Sequence, residues 1–231
     1  RKTRVEINVE NLLFNFHYLR NLVPDDYFFV PMVKAFAYGH DDVLVAEALA
    51  REQCKMFGVV LVEEGRRLRK RGVRQDILVF SAFDAIGARV IIEYQLTPVL
   101  FQWQQLNALL SVLPSDVVWP VHIKVNTGMN RLGFSVDEVE RLVDELSRHK
   151  HRLLLEGLCT HLWNGEDAAQ AQGHTVDQWK ILEGVRQFMG VPREAVHFYN
   201  SAGLLSRQQA IESPIPKYLG ARPGVALYGT A

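Results

Sequence analysis

The chain has 231 residues, 48% hydrophobic and 23% charged, and its 26 basic and 26 acidic side chains cancel to a formal charge of zero. That balance argues against a nucleic-acid or polyanion binder, which carries a basic surplus, and the composition is globular rather than disordered or fibrous. No apolar run approaches the roughly 18 residues of a membrane span, and the two isolated cysteines, Cys54 and Cys159, make no disulfide scaffold.

The predicted elements alternate. A strand at 5–9 opens the chain, followed by an amphipathic stretch at 11–23. The first strong strand covers 27–33, where Pro31 removes one amide donor and weakens the middle. A helix at 41–51 follows, then a strand at 56–61 and a strongly basic helix at 63–70. Strand 76–80 leads to helix 84–93, and strand 97–101 to helix 104–112. Strand 118–125 leads to helix 136–148, announced by Ser135 with Glu138 three residues on, a capping box. Strand 153–159 leads to a long helical region ending near Gly190. Strand 196–199, a short helix at 202–207 and a last strand at 218–221 complete the series. No linker-like composition divides the chain, so residues 1–231 read as one domain. From residue 27 the count is eight strands separated by helices. That is the arithmetic of a (β/α)8 TIM-type barrel, with a doubly wound open sheet as the competing arrangement, since periodicity does not report closure. The chain starts at Arg1 without a methionine and stops at Gly229-Thr230-Ala231, and it reads as a fragment.

In such a barrel, function sits where strands end and βα loops begin. Those ends carry Lys34 to His40, Lys124 to Phe134, Thr160-His161, Asn200-Ser201, and Arg222 to Val225. Lys34 ends an apolar strand: it is either a desolvated amine suited to Schiff-base chemistry or a rim lysine that snorkels to solvent. Asn200 and Ser201, with Gly224, are suited to cradling a phosphate at a helix start, although plain N-capping also explains them. Arg222 reads as an anion or ring-nitrogen ligand or as half of a surface salt bridge. Arg131 reads as a bidentate carboxylate ligand or as a solvated loop residue. His161 and His197 lie at or inside strands, where a ring can face the rim. No histidine, cysteine or carboxylate set has metal-ligand spacing, so no metal is expected.

Four segments together resemble the N-terminal domain of alanine racemases, pyridoxal-phosphate (PLP) enzymes of fold type III. They are Val33-Lys34-Ala35-Phe36-Ala37-Tyr38-Gly39-His40, Thr127-Gly128-Met129-Asn130-Arg131-Leu132-Gly133, Asn200-Ser201-Ala202, and Arg222-Pro223-Gly224-Val225-Ala226-Leu227-Tyr228-Gly229. The resemblance implies that Lys34 carries PLP in Schiff-base linkage and serves as one racemisation base. It implies that Tyr38, Ser201, Gly224 and Val225 hold the phosphate, that Arg222 donates to the pyridine nitrogen, and that His161 lies against the ring. Asn200 would help position the cofactor, Arg131 would support its phenolic oxygen and the substrate carboxylate, and Lys124 matches a lysine that is carbamylated in some relatives. The second base of the family is a tyrosine from a C-terminal β-domain of the partner subunit. That domain would lie beyond this chain, the intact form would be a homodimer, and the strand at 5–9 would normally join the missing domain. The implied activity is interconversion of L- and D-alanine for peptidoglycan in the cytoplasm, with this piece poorly active. Two positions depart from the family pattern: Phe36 replaces the usual asparagine, placing a bulky ring near the cofactor lysine, and Asn126 replaces the usual aspartate, removing a charge near Arg131. Phe36 keeps a broad-specificity racemase open as an alternative, and a PLP-binding regulatory barrel, which would share the barrel and lysine but not the 127–133 and 222–229 segments, is another. A cofactor-free Schiff-base aldolase on the same barrel is a third.

Overall fold

The computed structural model describes residues 4–210 and 212–229. Arg1 and the Thr230-Ala231 end singled out above lie outside the described residues. The chain folds as an α/β protein in which, among the described residues, seven parallel strands follow one another in sequence order across a single curled sheet. They are β1 (Met56–Val59), β2 (Asp76–Val79), β3 (Thr97–Leu100), β4 (Trp119–Lys124), β5 (Leu153–Cys159), β6 (Val196–Tyr199) and β7 (Gly220–Ala221). The helices are α1 (Val9–Arg20), α2 (Lys34–Gly39), α3 (Asp42–Arg51), α4 (Val62–Lys70), α5 (Ala85–Glu93), α6 (Trp103–Val112), α7 (Val139–Arg148), α8 (His174–Phe188) and α9 (Ser201–Gln208). Short polar side chains start several of them: Asn8, Asp41, Asp84 and Asn200 each accept backbone N–H groups of the first turn, the usual remedy for unpaired amides at a helix start. The Ser135–Glu138 box is present, with Glu138 accepting from the Ser135 amide at 2.9 Å.

Three sequence expectations need correction. Residues 4–8 form no strand; Asn8 instead accepts from the Asn11 amide at 3.0 Å and starts α1 at Val9. The stretch 27–33 is no regular strand but makes one bridge to each edge of the sheet, Phe29 to Ala221 and Met32 to Gly58. On the β7 side the Val30 amide donates to the Ala221 carbonyl at 2.8 Å and Met32 to Pro223 at 2.9 Å; on the β1 side Val33 donates to Gly58 at 2.8 Å. Pro31, lying between Val30 and Met32, has its missing N–H on the β1 side, which therefore lacks one donor, while its carbonyl accepts from the Gly58 amide at 2.9 Å. The expected last strand shrinks to the two residues Gly220–Ala221.

Alternation along the strands sorts two faces. Ile77, Val79, Leu100, Ile123, Leu158 and Phe198 join the large core beneath the helices. Leu78, Val99 and Cys159, with Met56 and Phe80, form a separate small cluster on the opposite face. His122, Lys124 and His197 alternate with large-core residues and therefore share that inner face. Gly157 lies against them: a Cβ there would stand 2.1 Å from Nδ1 of His122. Substituting Gly157→Ala is expected to destabilise the protein by about 1–3 kcal/mol through overpacking. Gly184→Ala, on α8 with no neighbour within 4 Å of the new carbon, is expected to stabilise by about 0.5–1 kcal/mol through helix propensity. Urea denaturation midpoints of the two variants check both signs.

Candidate functional site

Because every strand is parallel, their C-terminal ends share one rim, and a cavity of about 490 Å³ opens there, within the size range of small-ligand sites. All ten residues singled out in the sequence line it. Lys34 and Tyr38 come from α2, Lys124 from the end of β4, Arg131 from the following loop and His161 from just past β5. Asn200 and Ser201 come from the start of α9, and Arg222, Gly224 and Val225 from beyond β7.

Lys34 is followed by four residues of left-handed backbone, Ala35, Phe36, Ala37 and Tyr38, at φ values of +50° to +55°. None is glycine, and such geometry costs roughly 1–2 kcal/mol per residue. The turn brings Tyr38 back over the rim, with the Lys34 ammonium 5.6 Å from its ring. A Cβ on Gly224 would meet the Tyr38 hydroxyl at 2.3 Å, so glycine is required for this approach. Ser201 Oγ accepts from the amides of Gly224 at 2.9 Å and Ala226 at 3.2 Å, tying the start of α9 to the segment after β7. Asn200 is the N-cap of α9, accepting from the Gly203 amide at 2.8 Å, so the plain capping reading holds for it while it also lines the cavity. Phe36 does not line the cavity; it is 57% exposed and stacks under the Arg67 guanidinium at 4.4 Å. The expected bulk beside the lysine is therefore turned away.

Arg222 is buried, which removes the surface salt-bridge reading. No carboxylate pairs with it among the described residues. Its Nη2 donates to the Thr160 carbonyl at 2.5 Å, and its Nη1 donates to the His197 carbonyl and to His197 Nδ1, the latter at 3.0 Å. Accepting at Nδ1 leaves a neutral His197 with its proton on Nε2, which donates to His122 Nδ1 at 2.9 Å. His197 thus lies beneath Arg222 rather than facing the rim. His122 in turn carries its proton on Nε2, which is buried without a hydrogen-bond partner, 4.0 Å from the Glu156 carboxylate.

Burial, followed by the positive field of Arg222, pushes the His122 and His161 imidazoles down to about 3 and His197 well below its ordinary value. Burial, with the charges of Arg222 and Arg131, lowers Lys124 to about 8. Arg131 is exposed on a loop pinched shut by Asn126 donating to Phe134 and Phe134 to Lys124, both at 2.9 Å. Asn126 Oδ1 accepts from the amides of Gly128 and Asn130, and its Nδ2 donates to Asn130 Oδ1 at 3.0 Å, so the residue that departs from the family pattern organises the loop.

Two supporting residues escaped the sequence reading. Gln178, buried on α8, donates to Thr127 Oγ1 at 3.1 Å and to the His161 carbonyl at 3.0 Å while accepting from the Trp163 amide at 2.9 Å. Thr127 passes its proton to Thr160 at 2.7 Å and Thr160 to the Val125 carbonyl at 2.8 Å, closing the chain with every donor used. Glu64 accepts the amide of Ala35, next to Lys34. A glutamate in the first turn after an apolar strand was the only signal for it. Tyr228 is not aimed into the site: its hydroxyl donates to the Met32 carbonyl at 2.8 Å.

The three depressed imidazoles have a consequence for stability. Below about pH 6.5 the unfolded chain binds protons that the folded protein refuses, so stability is complete above that pH and declines as pH falls. Unfolding free energies by urea titration at pH 7, 6 and 5 are expected to fall progressively, by on the order of 1 kcal/mol per pH unit for each imidazole. A curve that is flat across this range contradicts the neutral assignment.

Comparison with known proteins follows the same lines. The family model described as alanine racemase, N-terminal domain, matches residues 7–231. The alanine racemase of Helicobacter pylori strain J99 is 29% identical over 238 residues, covering 99% of this chain and 61% of that protein. That of Sorangium cellulosum is 34% identical over 242 residues, with 99% and 61% covered. Among solved structures, the alanine racemase from E. faecalis superposes with a TM-score of 0.87 at 29% identity, covering 100% of this chain and 61% of that one. An alanine racemase of Clostridium difficile 630 in complex with cycloserine gives a TM-score of 0.84 at 27% identity, with 100% and 63% covered. The chain spans about three-fifths of the length of the curated relatives it matches. It belongs to the alanine racemase N-terminal domain family.

Proposed function

We propose that this chain binds PLP at the rim cavity and contributes one half of the chemistry that interconverts L- and D-alanine. The observation that carries the reading is the convergence of Lys34, Arg131, Ser201, Arg222 and Gly224, drawn from separate segments of the chain, on one cavity. The donor set fits the cofactor. A lysine is present for the aldehyde. A buried cation, Arg222, stands ready for the pyridine nitrogen, and Ser201, Tyr38 and the Gly224-Val225 backbone frame a place for phosphate where no side chain fits on Gly224. Bound PLP supplies an electron sink for negative charge at the substrate Cα.

The residues of the chain then have separate duties. Arg222, a cation with no acid partner, donates to the ring nitrogen without giving up a proton, which holds the sink weak and favours reversible proton exchange. Asn200 positions the cofactor and His161, neutral, lies against its ring. Arg131 orients the substrate carboxylate and supports the phenolic oxygen. Lys34 removes or returns the Cα proton on one face, since inversion needs a base on each side. The opposite face falls to a tyrosine of the partner subunit in a homodimer carrying the C-terminal β-domain, as in the family; Tyr228, bonded to the Met32 carbonyl, is not its substitute. A closed (β/α)8 barrel is the arrangement we infer for the domain, supported by the bonds that residues 28–33 make to both β1 and β7. Phe36, stacked outside the cavity, gives no support to a broadened substrate range. Supply of D-alanine for peptidoglycan in the cytoplasm is the physiological role we assign to the intact enzyme. No helix among the described residues is long and apolar enough to cross a membrane.

With PLP added, the chain is expected to exchange the Cα proton of alanine in deuterated water faster than it racemises alanine, and Lys34→Ala is expected to abolish exchange, on the order of 10³-fold or more for loss of an essential base and attachment point. Proton NMR of alanine follows both rates. Exchange that persists in Lys34→Ala excludes the assignment, and absence of exchange in the wild type, with PLP attached, leaves a binding module in place of a catalyst.

Lys124 is proposed to carry a carbamate that braces Arg131. With its amine lowered to about 8, a useful fraction is neutral near neutral pH. The neutral nitrogen attacks carbon dioxide, a C–N bond forms as one C=O π bond breaks and its electron pair moves onto oxygen, and one proton of the nitrogen leaves to solvent. Carbon-13 bicarbonate is expected to give a protein-bound carbamate resonance that disappears in Lys124→Ala, and failure to see it at pH 8 removes the modification.

A further inference from the structure

The left-handed turn after Lys34 needs something outside itself to hold it. Within the turn, the Ala37 amide donates to Val33 and the His40 amide to Ala37, each at 3.0 Å. The His40 ring bonds the Ala37 and Tyr38 carbonyls at 3.1 and 3.2 Å, and the Tyr38 ring packs on Tyr228; the restraint on the start of the turn comes from α4. One carboxylate oxygen of Glu64 accepts the Ala35 amide at 2.7 Å; the other accepts the amides of Val60 at 2.8 Å and Leu61 at 2.9 Å. A single carboxylate thereby joins the exit of β1 to the first amide after Lys34. Arg67, one turn further along α4, presses on the Phe36 ring at 4.4 Å and pairs with Asp42, the residue that begins α3, at 3.1 Å.

Ordinary helix capping accounts for the Leu61 contact, since a glutamate at the third helical position reaches back to the amide of the cap residue. It does not account for Ala35, which lies 29 residues earlier in the chain. A charged acceptor shared by three amides is also a stronger restraint than neutral bonds of the same number.

We propose that Glu64 is the positioning residue for Lys34: its carboxylate locks the left-handed turn and so fixes where the Lys34 amine enters the cavity. The proposal rests on the cofactor reading only for its consequence, not for its geometry.

Glu64→Gln separates the two duties of the carboxylate. Glutamine has one acceptor and one NH2 group. Its oxygen satisfies the Val60 and Leu61 amides together, which leaves the NH2 facing the Ala35 N–H, donor against donor. The cap survives and the turn contact is lost. In the full 231-residue chain, Glu64→Gln is therefore expected to keep a thermal midpoint close to that of wild type. Amide hydrogen exchange over residues 35–39 should accelerate by on the order of tenfold, the worth of one hydrogen bond to a charged group. Capture of added PLP at Lys34, trapped by borohydride and located by peptide mass, should weaken by a similar factor. Adding Ala35→Gly, which takes left-handed backbone without steric cost, should restore capture to the Glu64→Gln protein, a rescue that a pure capping role would not give. Should Glu64→Gln fold poorly, the double variant with Ala35→Gly, compared with Ala35→Gly alone, carries the same two readouts. Unchanged exchange over 35–39, or faster exchange with capture at Lys34 unaltered, overturns the proposal. If the wild type captures no PLP at Lys34, the cofactor reading fails instead, and exchange alone decides whether Glu64 locks the turn.

Discussion

A guanidinium without a carboxylate partner, buried at the floor of the cavity, governs the character of this site. Arg222 directs its two Nη groups to the carbonyls of Thr160, His197 and Phe198 and to one imidazole nitrogen, so its charge is solvated by fixed dipoles and left uncancelled. Isolated buried cations are costly, and the cost here is met by backbone that three neighbouring parallel strands bring to one place: β5 ends just before Thr160, β6 contains His197, and β7 ends just before Arg222. The charge then acts on everything nearby. Burial does most to hold His197, His122 and His161 as neutral imidazoles and to lower Lys124, the Arg222 charge adds to it, and the Arg222 contact with Nδ1 of His197 fixes the sequence of tautomers. A cavity lined by Lys34, Arg131 and Arg222 and by no aspartate or glutamate suits a ligand carrying phosphate and carboxylate groups.

Around that floor the site is a collection of local devices, each correcting a problem of the chain. The turn after Lys34 is strained and is held from outside by Glu64 and Arg67. The Arg131 loop is pinched at its base by the Lys124–Phe134 and Asn126–Phe134 bonds and braced within by Asn126. The segment after β5 is clamped on both sides of Leu162 by Gln178. Parallel topology explains why these devices meet: it places every strand exit on the same rim, while the inner face beneath is filled by His122, His197 and a small apolar cluster.

What was legible in the sequence follows from the range of the interactions involved. β5 and β6 have the boundaries read from their apolar runs, because strands covered by helices need little beyond local pattern. The Ser135–Glu138 box was visible as a cap for the same reason, whereas Asp41 and Asp84 were read as the first residues of their helices and are their caps. The stretch 27–33 was read as a continuous strand because its division into single bridges to β1 and β7 depends on residues distant in the chain, which no window of residues contains. The left-handed turn left no trace: Ala35, Phe36, Ala37 and Tyr38 each prefer right-handed backbone, and the acceptor that overrides them is on another helix. The ten positions that motif spacing picked out line one cavity, yet the geometry expected of individual residues differs. His197 was expected at the rim and lies beneath Arg222, Phe36 was expected beside the lysine and lies on Arg67, and the His122–His197 contact joins residues 75 apart.

The neutral histidines make the central claim measurable without any ligand. Nitrogen-15 correlation spectra of the imidazoles, followed from pH 8 to pH 4, report protonation state and tautomer directly. The account predicts that His122 and His197 remain neutral throughout with their protons on Nε2, and that His161 stays neutral until close to pH 4. Titration of any of the three near the ordinary histidine value of about 6.5 would contradict the view that burial beside the Arg222 charge keeps these imidazoles neutral.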